Sequence, residues 1–206
     1  MNGAPGSKKS VCIVGHGPSL QGKGLGKEID KFDVVIRMMN CAWQDEKDYG
    51  LESDVSIHCP AQKHFADDPR MPAFCYFIYF PTGWEWHPLP LNSSFRGIPS
   101  FGADEWLHDL HGENKPFSRG MAAALLATRF FWVKELCFAG MVKMLGVETK
   151  KNPDHHPSKL YEAHPYNGRT DTHDWENEAL VLKAHAEELN IKLRILECPT
   201  KKKRKR

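Results

Sequence analysis

The amino-acid sequence predicts an α/β protein, a three-layer Rossmann-like sandwich around a mostly parallel central sheet. Three observations predict it. Apolar runs of five to eight residues alternate with helix-like segments along the chain. Several of these runs are apolar at consecutive positions, which is typical of parallel strands covered on both faces. The first run leads into a glycine-rich turn, and such turns often follow the first strand of a ligand-binding α/β domain.

Each element has its own local signal. Strands are expected where short apolar runs are bounded by glycine or polar residues, at 10–15, 32–38, 53–59, 73–80, 134–140 and 191–196. Helices are expected at 103–112, 118–132 and 172–190, with Ser118 and Thr172 as N-caps. The remaining stretches 81–100 and 146–170 are rich in proline, histidine or asparagine and are expected to be long functional loops.

Length and charge limit the organisation of the chain. With 206 residues, 41% hydrophobic and 26% charged, it is expected to form one domain at 10–198, after a flexible segment 1–9. The basic tail 199–206 is expected to be disordered; its last six residues are all cationic and leave a net charge of −4 on the rest. That tail serves either as a contact to nucleic acid or only as a solubilising end.

Location and redox state follow from what the sequence lacks. No apolar run approaches the roughly 20 residues of a membrane span, and the polar N-terminus is unlike a signal peptide. A cytoplasmic protein is therefore expected. Its six cysteines include no Cys-x-x-Cys pair, which favours buried free thiols over a disulfide framework.

The glycine turn at Gly15 and Gly17 has three interpretations. It is a tight turn without a ligand, a dinucleotide site, or a turn whose amides approach a phosphate. The dinucleotide site requires a third glycine where Leu20 stands and an acidic residue near Asn40, at the end of the second strand. Because both requirements fail, the phosphate of another nucleotide is favoured.

Three motifs in order, and the segment that follows the first of them, resemble the sialyltransferases, glycosyltransferase family 29. Residues 12–40 resemble the large motif of that family, and residues 48–57 resemble the segment that follows it. Residues 116–127 resemble the small motif, and His173 with Glu178 resembles the very small motif. The resemblance implies a GT-A-like variant of the fold and a glycosyltransferase.

The implied reaction is an inverting transfer of a sugar from a nucleotide-sugar donor to an acceptor hydroxyl, with no metal or other cofactor. CMP-sialic-acid-like and UDP-pentose donors are both compatible with it. His173 is the expected general base, because a helix N-terminus favours the neutral imidazole that can accept a proton. Glu178 accompanies it in the catalytic set. A second histidine is expected beside the phosphate, and His164 is preferred to His156 because a tyrosine lies two residues after it.

The expected donor site combines the glycine turn, the end of the second strand and the start of the small-motif helix. Two positions depart from the family pattern: His16 replaces an asparagine, and Asn40 follows Arg37 by three residues instead of two. The donor-binding set is Gly15, His16, Gly17, Pro18, Ser19, Asn40, Ser118, Arg119, Gly120 and His156.

Other functions stay open on the sequence alone. The histidines near His156 and His173 could form a metal cluster, but they lack the compact helical spacing of a zinc site, and the chain has no Asp-x-Asp. A short soluble microbial or viral relative could modify a glycan or lipopolysaccharide, or a hydroxymethylated base of phage DNA. The alternative is a non-catalytic nucleotide- or nucleic-acid-binding protein with the same fold, followed by a flavin-type oxidoreductase.

Overall fold

The computed structural model describes residues 7–15, 17–38, 45–58, 74–77, 96–99, 118–146 and 175–196. Within these ranges the strands are β1 (Lys9–Val14), β2 (Val34–Met38), β3 (Val55–His58), β4 (Phe74–Phe77), β5 (Arg96–Pro99), β6 (Val133–Ala139) and β7 (Lys192–Ile195). The α-helices are α1 (Gly26–Ile29), α2 (Glu46–Tyr49), α3 (Arg119–Phe130) and α4 (Trp175–Glu188). Short 3-10 turns cover Pro18–Leu20 and Val142–Leu145.

The described strands form one seven-stranded sheet in the order β5-β4-β3-β2-β1-β6-β7. Every neighbouring pair is parallel. From β1 the chain adds β2 to β5 on one side, and then crosses back to place β6 and β7 on the other side. The topological switch point of the sheet therefore lies between β1 and β6.

The two faces of the sheet are buried by different helices. Alternate residues of β1 and β2, such as Ile13 and Ile36, pack with α3 and α4 on one face. The intervening residues, such as Val14 and Val35, pack on the other face with Ile29 of α1 and residues of α2. Because a strand alternates its side chains between faces, burial on both sides produces the consecutive apolar runs of the sequence. The three-layer α/β sandwich predicted from the sequence is confirmed.

Most predicted strands and both described long helices lie where the sequence placed them. Ser118 caps α3 as expected: its Oγ accepts a hydrogen bond from the Met121 amide at 3.2 Å. One expectation was wrong, because β5 lies inside the stretch 81–100 that was expected to be a loop. Its glycine and proline argue against a central strand, but β5 is at the edge of the sheet, where a missing amide donor costs little.

Two cysteines face each other inside the sheet. Cys12 on β1 and Cys137 on β6 are directly paired in the register, and both are buried free thiols. A hydrogen bond with Cys137, together with burial, raises the pKa of the Cys12 thiol. The expectation of buried free thiols is confirmed for these two residues. Of the other four cysteines, Cys75 lies in β4, and the remaining three lie outside the described residues: Cys41, Cys59 and Cys198.

Candidate donor site at the switch point

The carboxyl ends of β1 and β6 meet at the switch point of the sheet. In open parallel sheets, ligands bind in the crevice outside these strand ends. Gly15 directly follows β1, and Gly140 directly follows β6, so both glycines border this crevice. Gly15 was predicted to belong to the site, whereas Gly140 was not. The start of α3 lies at the same place, because a side chain at Gly15 and a side chain at Gly120 would both run into Met141.

The amides of the glycine turn are already hydrogen-bonded. The Gly15 amide donates to the Ala139 carbonyl at 2.8 Å, and the Gly17 amide donates to the Gly140 carbonyl at 3.0 Å. Gly140 adopts a φ of +67°, which favours glycine at this close approach of two turns. Gly15 and Gly17 thus line the crevice as its wall, and these two amides are not free to bind the phosphate that the sequence analysis expected them to approach.

The carbonyl side of the turn is held from α2. The Tyr49 hydroxyl donates to the Gly17 carbonyl at 2.9 Å, and this hydrogen bond is buried. Tyr49 is itself positioned by Arg37, whose Nη1 donates to the Tyr49 carbonyl at 2.9 Å. Arg37 Nε donates to the Glu52 carbonyl at 2.8 Å, and its Nη2 lies 3.7 Å from Asp30 Oδ1. Arg37 is only 1% exposed, so its guanidinium group contacts other residues of the protein and not the solvent.

A buried aspartate, Asp48, holds the loop between the turn and α1. Asp48 accepts hydrogen bonds from the amides of Gly22 and Gly24, at 2.5 and 2.7 Å. Both glycines have positive φ, near +69° and +65°, which orients their amides toward one carboxylate. The Gly24 amide is the main cause that lowers the pKa of Asp48. The carboxylate therefore stays ionised and keeps this loop closed at neutral pH.

The start of α3 is joined to α4 by a buried carboxylate. Glu178 Oε1 accepts from the Ser118 amide at 2.6 Å, and Glu178 Oε2 accepts from the Ser118 hydroxyl at 2.5 Å. Glu178 is 1% exposed and Ser118 is 3% exposed. Both oxygens of the Glu178 side chain are thus bonded to Ser118. The pair connects the small motif and the very small motif directly.

This pair also determines which amides of α3 remain for a ligand. The first four amides of a helix have no carbonyl partner within the helix. The Ser118 amide donates to Glu178, and the Met121 amide donates to the Ser118 hydroxyl. The amides of Arg119 and Gly120 are the remaining two, and they lie at the positive end of the helix dipole. Anion binding at this helix therefore depends on these two positions.

Several predicted site residues are not among those described. His16, Asn40, His156, His164 and His173 lie outside the described ranges, and so does the predicted cap Thr172. For Pro18 and Arg119 the structure describes the backbone alone, and Ser19 is partly buried in the 3-10 turn after the glycines. The roles assigned to these residues, and to Glu178 as a catalytic group, stay predictions.

Four residues that shape the crevice were not predicted from the sequence. Tyr49 and Asp48 begin the 48–57 stretch, whose resemblance to the family was the available signal, although no role followed from it. Met141 and Met144 follow β6 and carry no recognisable motif; both lie next to Gly120. Only the packing of three distant segments brings them together.

Two searches within the described residues gave negative results. No group of three or more histidine, cysteine, aspartate or glutamate side chains in the described ranges is arranged to hold a metal ion. Among the helices described here, none is both long and apolar enough to cross a membrane.

A parallel sheet with a glycine turn and a capped helix at its switch point is an arrangement in which open α/β proteins bind ligands. Residues 4–82 match the family model of glycosyltransferase family 29 (sialyltransferase). This range contains the large motif and the segment after it. A comparison with curated proteins gave no match.

Solved sialyltransferase structures share the fold. A mammalian sialyltransferase is 18% identical, with 94% of this chain and 70% of that chain covered and a TM-score of 0.59. The sialyltransferase CstII from Campylobacter jejuni, in complex with cytidine-5'-monophosphate, is 17% identical, with 95% and 82% covered and a TM-score of 0.56. The monofunctional alpha-2,3-sialyltransferase Cst-I from Campylobacter jejuni is 15% identical, with 94% and 77% covered and a TM-score of 0.59. These structures share the predicted fold, and the match of residues 4–82 agrees with the resemblance to the sialyltransferases noted in the sequence.

Proposed function

We propose that this chain is an inverting, metal-independent glycosyltransferase that moves a sugar from a CMP-sugar donor to an acceptor hydroxyl. The observation that carries the proposal is the buried Ser118–Glu178 pair at the switch point. It ties the start of α3, where the donor phosphate is expected, to α4. His173, the expected base, precedes Glu178 by five residues in the sequence.

The proposed chemistry needs one proton acceptor and one anion site. The acceptor oxygen attacks the anomeric carbon while the bond from that carbon to the phosphate oxygen breaks. The acceptor proton goes to His173, and the bonding electrons leave with the nucleotide, so the anomeric configuration inverts. His164, or His156 in its place, and the amides of Arg119 and Gly120 would stabilise the departing phosphate.

The choice of CMP rests on what related structures contain. CstII was solved with cytidine-5'-monophosphate and with the substrate analogue CMP-3FNeuAc. The mammalian sialyltransferase was solved with Gal-beta-1-3GalNAc-ortho-nitrophenol, and CstII with a trisaccharide acceptor. A glycan or lipopolysaccharide acceptor is therefore our first choice for this chain, and a UDP-pentose donor is the alternative.

A second acceptor is favoured by one feature of the sequence. The six cationic residues 201–206 would attract a polyanion, as expected of an enzyme that glycosylates hydroxymethylated bases of phage DNA. Deleting residues 201–206 should then abolish salt-sensitive DNA binding, and should leave donor hydrolysis without DNA unchanged.

The test is hydrolysis of CMP-sialic acid and of a UDP-pentose, with and without EDTA. We expect turnover of the CMP-sugar that EDTA does not reduce, and loss of turnover in His173→Ala. His185→Gln is the matched control, because His185 lies on α4 but bonds Thr128 of α3 away from the crevice, at 2.9 Å. Binding of CMP without any turnover would instead identify a non-catalytic nucleotide-binding protein, and EDTA-sensitive turnover would refute the metal-free mechanism.

A further inference from the structure

Met141, the second residue after β6, lies between two glycines of the candidate donor site. A methyl group added at Gly15 would overlap Met141 Cγ, and one added at Gly120 would overlap Met141 Cε. The Met141 side chain therefore extends from the glycine turn to the start of α3. Both glycines lack a side chain at the points where this methionine crosses the crevice.

The methionine lies beside the part of α3 where a donor phosphate is expected. The Cα–Cβ direction in a helix tilts toward the N-terminus, so an atom at the Cβ position of Gly120 lies on the N-terminal side of α3. An anion would approach from that side, toward the positive end of the helix. The Ser118 and Met121 amides are already bonded, and Met141 lies against Gly120, which carries one of the two remaining donors.

Met141 is less enclosed than its neighbour Met144. Met144 is fully buried, with its Sδ 3.8 Å from the Ser118 hydroxyl. Met141 is only partly buried and packs at the margin of the core. Three rotatable bonds let a methionine side chain leave such a position without a change in the backbone.

We propose that Met141 gates the donor crevice and thereby sets the affinity for the nucleotide. This inference rests on the proposed function. With the side chain across the crevice, the Gly120 amide is covered; donor binding requires the side chain to swing away. The observed affinity is then the intrinsic affinity multiplied by the fraction of molecules in which the crevice is clear.

The experiment measures CMP binding by calorimetry and CMP-sugar hydrolysis for the wild type, Met141→Leu and Met141→Ala. If the clear conformation is populated at about 10–30%, Met141→Ala should bind CMP about 3- to 10-fold more tightly. Its KM for the donor should fall with kcat unchanged. Met141→Leu, which lacks the terminal methyl that reaches Gly120, should lie between the two.

Leu145→Ala is the matched control. Leu145 belongs to the same 3-10 turn and packs on the same core, but its side chain is not among the nearest neighbours of either glycine. It should lose stability without a gain in CMP affinity. Equal or weaker CMP binding by Met141→Ala would overturn the gate, and turnover by the wild type would then leave the proposed function intact. If no variant binds CMP or hydrolyses the donor, both proposals are wrong.

Discussion

The Ser118–Glu178 pair offers the sharpest test of how the candidate site is built. Replacing Ser118 with alanine removes the cap of α3, worth about 1 kcal/mol. It also removes the hydroxyl bond to the buried carboxylate, and a hydrogen bond to a charged group contributes about 1.5–3 kcal/mol. Ser118→Ala should therefore lower the free energy of unfolding by about 2.5–4 kcal/mol.

Glu178→Gln keeps the size of the side chain and removes its charge. The oxygen of the new side-chain amide can accept a hydrogen bond from one Ser118 donor, but its NH₂ group faces the other donor and cannot accept from it. We therefore expect the free energy of unfolding to fall by about 1.5–3 kcal/mol. In the double variant the two losses should not add, because each single change already breaks the shared bond. Urea unfolding of the four proteins should give a coupling free energy of about 1–3 kcal/mol.

Glu176→Gln is the control on the same helix, since Glu176 is exposed; it should change stability by less than about 0.5 kcal/mol. Losses for Ser118→Ala and Glu178→Gln that add to within about 0.5 kcal/mol would refute the direct bond. The same proteins test the predicted catalytic role of Glu178. If Glu178→Gln loses stability but keeps its kcat, the role of Glu178 is structural and not catalytic.

Two further predictions concern the surroundings of the crevice, and a third concerns His185 of α4. Tyr49→Phe should cost about 1 kcal/mol in urea unfolding, because the Gly17 carbonyl loses its donor; no measurable change would contradict the buried bond. Asp48→Asn should cost about 1.5–3 kcal/mol at pH 7. Since the pKa of Asp48 is lowered in the fold, that difference should shrink as the pH falls below about 4, and a pH-independent difference would refute the assignment. Burial lowers the pKa of His185, so folding disfavours its protonated form and stability should fall as the pH drops below about 6.5. His185→Gln should flatten this part of the profile, and an unaltered slope would show that another group causes it.

The sheet could be read from the sequence because its signal is local. A strand buried on both faces carries apolar residues at consecutive positions, and β1, β2 and β6 were predicted from such runs. The cap at Ser118 is local as well, since a hydroxyl and an amide three residues apart decide it. β5 was not predicted, because its glycine and proline are acceptable only at the edge of a sheet. Which strand lies at the edge depends on the order of strands, which is not a local property of the sequence.

The hydrogen bonds of the candidate site could not be predicted from the local sequence. The Gly17 amide meets the Gly140 carbonyl across 123 positions of sequence, and Ser118 meets Glu178 across 60. A glycine turn looks the same in sequence whether its amides face a phosphate or a neighbouring strand end. Only the pairing of β1 with β6 decides between the two, and it assigns these amides to the protein itself.

This distribution of bonds separates the residues that build the crevice from those available for chemistry. Arg37, Asp48, Tyr49, Ser118 and Glu178 are all buried, and each is held by hydrogen bonds inside the protein. Their replacement should lower the unfolding temperature and, through misplacement of the crevice, the activity as well. For the proposed transfer, the expected proton acceptor is His173, one of the motif histidines that the resemblance supplies. His173→Ala should therefore abolish turnover with an unfolding temperature close to that of the wild type. A matched fall in activity and unfolding temperature would mean that His173 also belongs to the structural framework.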